Sequence, residues 1–112
     1  MPIQCDEYAG VCVIAPQGDL AGPAAAAARQ AAESRTATEG VSVVIDLERA
    51  NFIDSQGLES LLSIRRRCET QGARLALAAL SPTCQKILEL TRLDRHFECH
   101  PDLSSAIKAT TV

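Results

Sequence analysis

An acid and a hydroxyl stand side by side in the segment FIDSQGLESLL, at Asp54 and Ser55. A serine becomes a nucleophile only beside a base, usually histidine, and the two histidines of the chain, His96 and His100, both fall in the late segment HFECH. No G-x-S-x-G elbow surrounds Ser55, so hydrolysis has no support. A carboxylate nucleophile at Asp54 or Asp46 would want metal-binding acids around it, and the sequence gathers none there. The phosphate-cradling patterns G-x-x-x-x-G-K-[ST] and G-x-G-x-x-G are absent, and Gly57 alone does not replace them. HFECH offers imidazole and thiolate at His96, Cys99 and His100, yet its spacing fits no zinc pattern, and on an extended segment His96 and Cys99 face opposite sides. These residues therefore point to no catalytic residue, no metal and no cofactor, with a small enzyme kept only as an alternative.

Composition narrows the partners. At 112 residues, 46% hydrophobic and 22% charged, the chain suits one globular domain spanning residues 1–112. A net charge of -3, with one tyrosine and two phenylalanines, supplies neither the field nor the stacking surfaces that nucleic acid requires. The alanine run at residues 24–28 is far shorter than the roughly 18 residues of a membrane span, and residues 1–6 lack a leader pattern. The expected setting is the cytoplasm, without direct membrane insertion. Cys5, Cys12, Cys68, Cys84 and Cys99 are odd in number and lack C-x-x-C spacing, as reduced thiols packed like small hydrophobes would be. The run Arg65, Arg66, Arg67 fans around a helix and reads as a solvated face.

The elements that position Asp54 and Ser55 follow from periodicity. Residues 3–8 and 11–17 form a hairpin through Ala9 and Gly10, although no primed-turn dipeptide sets its geometry. Gly22-Pro23 and the following alanines open a helix that runs to about Arg35, its small side chains implying close approach to whatever it covers. Residues 34–40 read as a loop. VSVVIDL then places Val41, Val43, Ile45 and Leu47 on one face of a strand and Ser42, Val44 and Asp46 on the other, and RLALAAL repeats that asymmetry with Leu75 and Leu77 against Ala76 and Ala78. Between these strands, Leu58, Leu61, Leu62 and Cys68 keep helical spacing over residues 55–71, and Gly72 stands where a left-handed cap is wanted. Ser81-Pro82 opens a third helix, and a short strand near Phe97 and a helix over residues 102–109 finish the chain. Strands alternating with helices predict an α/β fold: a mainly parallel sheet behind an N-terminal hairpin, with helices wound largely on one face.

In such a sheet, functional groups collect at the carboxyl ends of the strands and the heads of the helices that follow, which is where Asp54 and Ser55 fall. A structural role accounts for one of them, because either can cap the helix for about 1 kcal/mol. It leaves the other, and it leaves Phe52-Ile53 as a hydrophobic staple at most. FIDSQGLESLL after VVIDL, with Gly72, Ser81-Pro82 and the residues from Leu93 to Phe97 beyond it, resembles the STAS domain of anti-sigma factor antagonists. The similarity runs from Gly18-Asp19-Leu20 to the last helix. It implies that Ser55 is phosphorylated by a serine kinase of the histidine-kinase-like ATPase type that is also the anti-sigma factor, and that Asp19, Asp54, Ser55, Gln56, Gly57 and Leu58 form the partner-binding surface. It implies partner switching, with the unmodified form capturing the kinase and the phosphorylated form released. The alternative within the resemblance is a STAS subunit of an ABC-type lipid or solute transport complex, docking on a transporter ATPase or permease. Gln56, where the family often has a second small hydroxyl, and Ala21, where it often has an acid, depart from the pattern.

Overall fold

Strands β1 (Ile3–Tyr8) and β2 (Val11–Pro16) pair antiparallel with Tyr8 opposite Val11, so Ala9 and Gly10 alone make the turn. A two-residue loop follows the strand twist when both residues take positive φ, and Ala9 at 53° and Gly10 at 80° both do. The hairpin is as expected, but the sequence carries no primed-turn dipeptide to set this geometry. The ladder on either side imposes it, at a cost of about 1–2 kcal/mol for the Cβ of Ala9.

The computed structural model describes residues 3–38 and 40–111. Beyond the hairpin come α1 (Pro23–Arg35), β3 (Val43–Asp46), α2 (Ser55–Thr70), β4 (Leu75–Ala78), α3 (Pro82–Leu90), β5 (Glu98–His100) and α4 (Leu103–Thr110), the expected alternation. Glu39, inside the expected loop at 34–40, and Met1 and Pro2, at the head of the segment read as lacking a leader, lie outside the described residues. The five strands lie in chain order across one sheet, β2 to β5 all parallel. Among the described residues no helix is long and apolar enough to cross a membrane.

Alternation along the strands builds two cores. Cys12, Ile14, Val43, Ile45, Leu75 and Leu77 meet Ala28 and Ala32 of α1, Leu61, Ile64 and Cys68 of α2, and Cys84 and Leu88 of α3. Fully buried side chains such as Ile14, Ile45, Leu61 and Leu77 each contribute about 1.5–3 kcal/mol. On the other face Val11, Val13, Val44, Ala76 and Ala78 form a shallow floor, and α4 lies on it through Leu103, Ala106 and Ile107. The first three helices thus share one face as expected, while α4 takes the opposite one. It follows the last strand and makes no crossover, so it is free to cover the lighter side.

Small side chains let α1 and α2 approach. Ala25, Ala28 and Ala32 are buried, and Ser60 on α2 donates its hydroxyl to the Ala25 carbonyl at 2.6 Å. The two helices start together and end together. At their far end Arg67 donates to Thr36 Oγ1 at 2.9 Å and to the Glu33 carbonyl at 3.1 Å, satisfying groups left open where α1 stops. The arginine run is therefore not a uniform solvated face. Arg65 pairs with Glu69 one turn on at 3.3 Å, Arg67 ties two helices, and of the three only Arg66 is exposed. Gly72, with φ of 71°, closes α2 as expected: its N–H donates to Glu69 and that of Ala73 to Cys68.

Candidate functional site

Two connections, residues 17–22 after β2 and residues 47–54 after β3, run side by side at the carboxyl end of the sheet. They continue the parallel pairing of their strands: Leu20 bridges Ile53, the Leu20 N–H donates to the Phe52 carbonyl at 3.0 Å, and the Asp54 N–H donates to the Leu20 carbonyl at 3.3 Å. Side chains fasten the same seam. Asp19 Oδ1 accepts from the Asn51 N–H at 3.1 Å, and Arg49 donates to Gln17 Oε1 at 3.1 Å.

Asp54 is the N-cap of α2, with extended backbone angles. Its Oδ1 accepts from the Gly57 N–H at 2.7 Å and its Oδ2 from the Gly22 N–H at 3.1 Å, so one carboxylate serves α2 and the chain entering α1 together. That settles which of the adjacent pair caps the helix. Ser55, the first helical residue, is exposed, and its hydroxyl makes no hydrogen bond among the described residues. Gln56 beside it is exposed, and Leu58 is half-buried against the larger core. Gly57 is buried, and a Cβ built on it would lie 2.1 Å from the Leu20 carbonyl oxygen and 2.7 Å from Ile53 Cγ2. The close approach that Gly57 permits is internal, between α2 and the seam beneath it.

A groove of about 460 Å³ opens between α1 and α2 beside this junction. Ser55 and Gln56 line it at the heads of the helices, with Glu59, Ser63 and Arg66 further along α2 and Arg29 across from them. The histidines stand elsewhere. β5 lies two strands from β3 in the sheet, about 10 Å at the usual strand spacing. His100 Nε2 pairs with Glu98 Oε2 at 2.7 Å, Arg74 pairs with Glu98 Oε1, and His96 is exposed. Partial burial pushes the Glu98 carboxyl up, but the hydrogen bonds and charges of His100 and Arg74 outweigh it and hold the group below its ordinary value. Among the described residues no set of three His, Cys, Asp or Glu is arranged to hold a metal ion.

Sequence reasoning missed three features of this end of the molecule: the double use of Asp54, the cross-link from Asp19 to Asn51, and the fate of Phe52-Ile53. Ile53 is 2% exposed and Phe52 is 47% exposed. The first two join residues 32 apart in the chain, for which no local signal exists. The third had one, since an extended segment sends neighbouring side chains to opposite sides.

Fold and site together define a small α/β domain with an exposed, unengaged serine hydroxyl at the head of α2. The chain belongs to the STAS domain family, whose model matches residues 2–106. A STAS-domain containing protein of Pseudomonas aeruginosa is 34% identical over 55 residues, a stretch that is 49% of this chain and 54% of that relative, so the match spans about half of each. An anti-sigma factor antagonist from Mycobacterium paratuberculosis superposes with a TM-score of 0.84 at 26% identity, covering 98% of this chain and 93% of the other. The phosphorylated form of the Bacillus cell fate determinant SpoIIAA does so with a TM-score of 0.71 at 23% identity, covering 96% and 97%.

Proposed function

We propose that this chain is an anti-sigma factor antagonist that works by partner switching. Unphosphorylated, it captures an anti-sigma serine kinase of the histidine-kinase-like ATPase type in the cytoplasm and so frees a sigma factor; phosphorylated on Ser55, it lets the kinase go. It is a binding switch and not an enzyme. The observation that carries the reading is the division of labour at the junction: Asp54 holds both helix heads, which leaves the Ser55 hydroxyl exposed and without a structural task. The likeness to an anti-sigma factor antagonist and to a phosphorylated relative supports it. Asp19, Asp54, Ser55, Gln56, Gly57 and Leu58 belong to the surface in two ways: Ser55, Gln56 and Asp19 are exposed on it, while Asp54, Gly57 and Leu58 shape it from below.

Phosphate at the first position of a helix meets the positive end of the dipole and free N–H groups, so modification leaves the fold in place. Its about -1.5 to -2 charge acts on the contact, through desolvation and repulsion from the partner. Ser55→Glu should therefore weaken capture of the purified kinase by tenfold or more, about 1.4 kcal/mol, with an unchanged melting temperature. Ser55→Ala should keep the affinity and abolish phosphate incorporation. Calorimetry on both variants, beside a phosphorylation assay, checks this; equal affinity of wild type and Ser55→Glu would leave a permanent docking module, as in a transport complex.

A further inference from the structure

Neither the cap nor the switch accounts for Phe52, a large apolar side chain held in water three residues before Ser55. We infer that Phe52 is the apolar anchor of the capture surface, seated in an apolar pocket of the anti-sigma kinase when Ser55 is unmodified; this rests on the partner-switching reading above.

The exposure of Phe52 is enforced by its neighbours. The Asn51 N–H is held by Asp19, the Phe52 carbonyl by the Leu20 N–H, and the Asp54 N–H by the Leu20 carbonyl, so the backbone is pinned on both sides of Phe52, and Ile53 lies in a strand-like bridge with Leu20. Ile53 points inward and packs where Gly57 leaves no room for a Cβ. Turning Phe52 inward would turn Ile53 out, because adjacent side chains of an extended segment alternate. A staple needs only one apolar residue ahead of the N-cap, and Ile53, directly before Asp54, supplies it.

Position separates Phe52 from the other large exposed apolar residues among those described, Tyr8 and Leu90. Tyr8 ends β1 at the hairpin turn and Leu90 ends α3, both at the amino-terminal end of the parallel strands. Phe52 stands at the carboxyl end with Ser55. An aromatic ring on a pinned backbone loses little freedom when a partner covers it, and such residues carry a large share of binding energy at interfaces. The same placement explains how phosphate would act: a charged group three residues away must be desolvated if Phe52 is to be buried, so the modification opposes seating of the ring.

Because the chain contains no tryptophan, Phe52→Trp places its single tryptophan at this position, and excitation selective for indole leaves Tyr8 silent. Titrated with the purified kinase, its emission should shift to shorter wavelength, and Ser55→Glu in the same chain should abolish the shift. Phe52→Ala should lower the affinity by tenfold or more and Phe52→Leu by less, with calorimetry as the readout and melts run alongside. Binding of Phe52→Trp that saturates in calorimetry without an emission shift would overturn the anchor and leave partner switching intact. So would wild-type affinity in Phe52→Ala. No binding of the wild-type chain to the kinase would remove the partner-switching reading, and this inference with it. If Phe52→Ala melts substantially lower, the emission of Phe52→Trp decides.

Discussion

Asp54 and Ser55 are adjacent, and their side chains have different work. Replacing Asp54 by Ala removes the acceptor of the Gly57 and Gly22 N–H groups and should cost about 1–2 kcal/mol in a denaturant melt, whereas Ser55→Ala should stay within about 0.5 kcal/mol. If instead Ser55→Ala were the more damaging of the two, the cap would have been misassigned. Gly57→Ala should be as harmful as Asp54→Ala or worse, about 1–3 kcal/mol, because its Cβ meets a backbone oxygen that cannot swing aside. The sequence narrowed the cap to two residues and stopped there, since both side chains offer an oxygen at the right place. Choosing between them takes the backbone: Asp54 at φ -90°, ψ -175° is extended, and Ser55 already belongs to α2. The cysteines divide by surroundings in the same way. Cys12, Cys68 and Cys84 are buried and Cys99 is exposed, so a thiol reagent should label Cys99 in the native protein and those three only on unfolding.

The elements were legible wherever their signals are local. Pro23 and Pro82 at helix starts, Ser81 accepting from the Cys84 N–H at 3.1 Å, and Gly72 with φ of 71° all stand where neighbouring residues predict them. The hairpin itself was legible, and only its turn geometry was not, because Ala9 carries a conformation that its type disfavours. Ala9→Asn should accordingly raise stability by about 0.5–1 kcal/mol, read as a higher melting temperature with strand signal unchanged. A fall would mean that the turn does not hold both residues at positive φ. The arginine run shows the opposite limit. Arg65, Arg66 and Arg67 are alike in sequence, and the pairing of Arg67 with Thr36 and Glu33 depends on how α1 lies on α2.

Across the whole molecule, burial in the larger core pushes the thiols of Cys12 and Cys68 up to about 11, with Cys5 adding to the rise at Cys12 and Arg67 opposing it at Cys68. A pKa raised on folding contributes stability that is complete below the unfolded value of 9.0 and disappears as pH climbs through about 11. Thermal stability should therefore decline between pH 9 and 11, and Cys12→Ala, which removes the thiol without adding bulk to the core, should make that decline shallower; an unchanged slope would place the alkaline sensitivity elsewhere. The order of elements, the parallel sheet and the two unequal faces were all determined by sequence alone, because periodicity, caps and alternation are properties of residues within a turn or two of each other. Tertiary structure decided the rest. It set α4 on the light face, joined Asp54 to Gly22 and Asp19 to Asn51 across 32 residues, and turned Phe52 outward by turning Ile53 in. Those outcomes depend on which distant groups the folded sheet brings within hydrogen-bond reach.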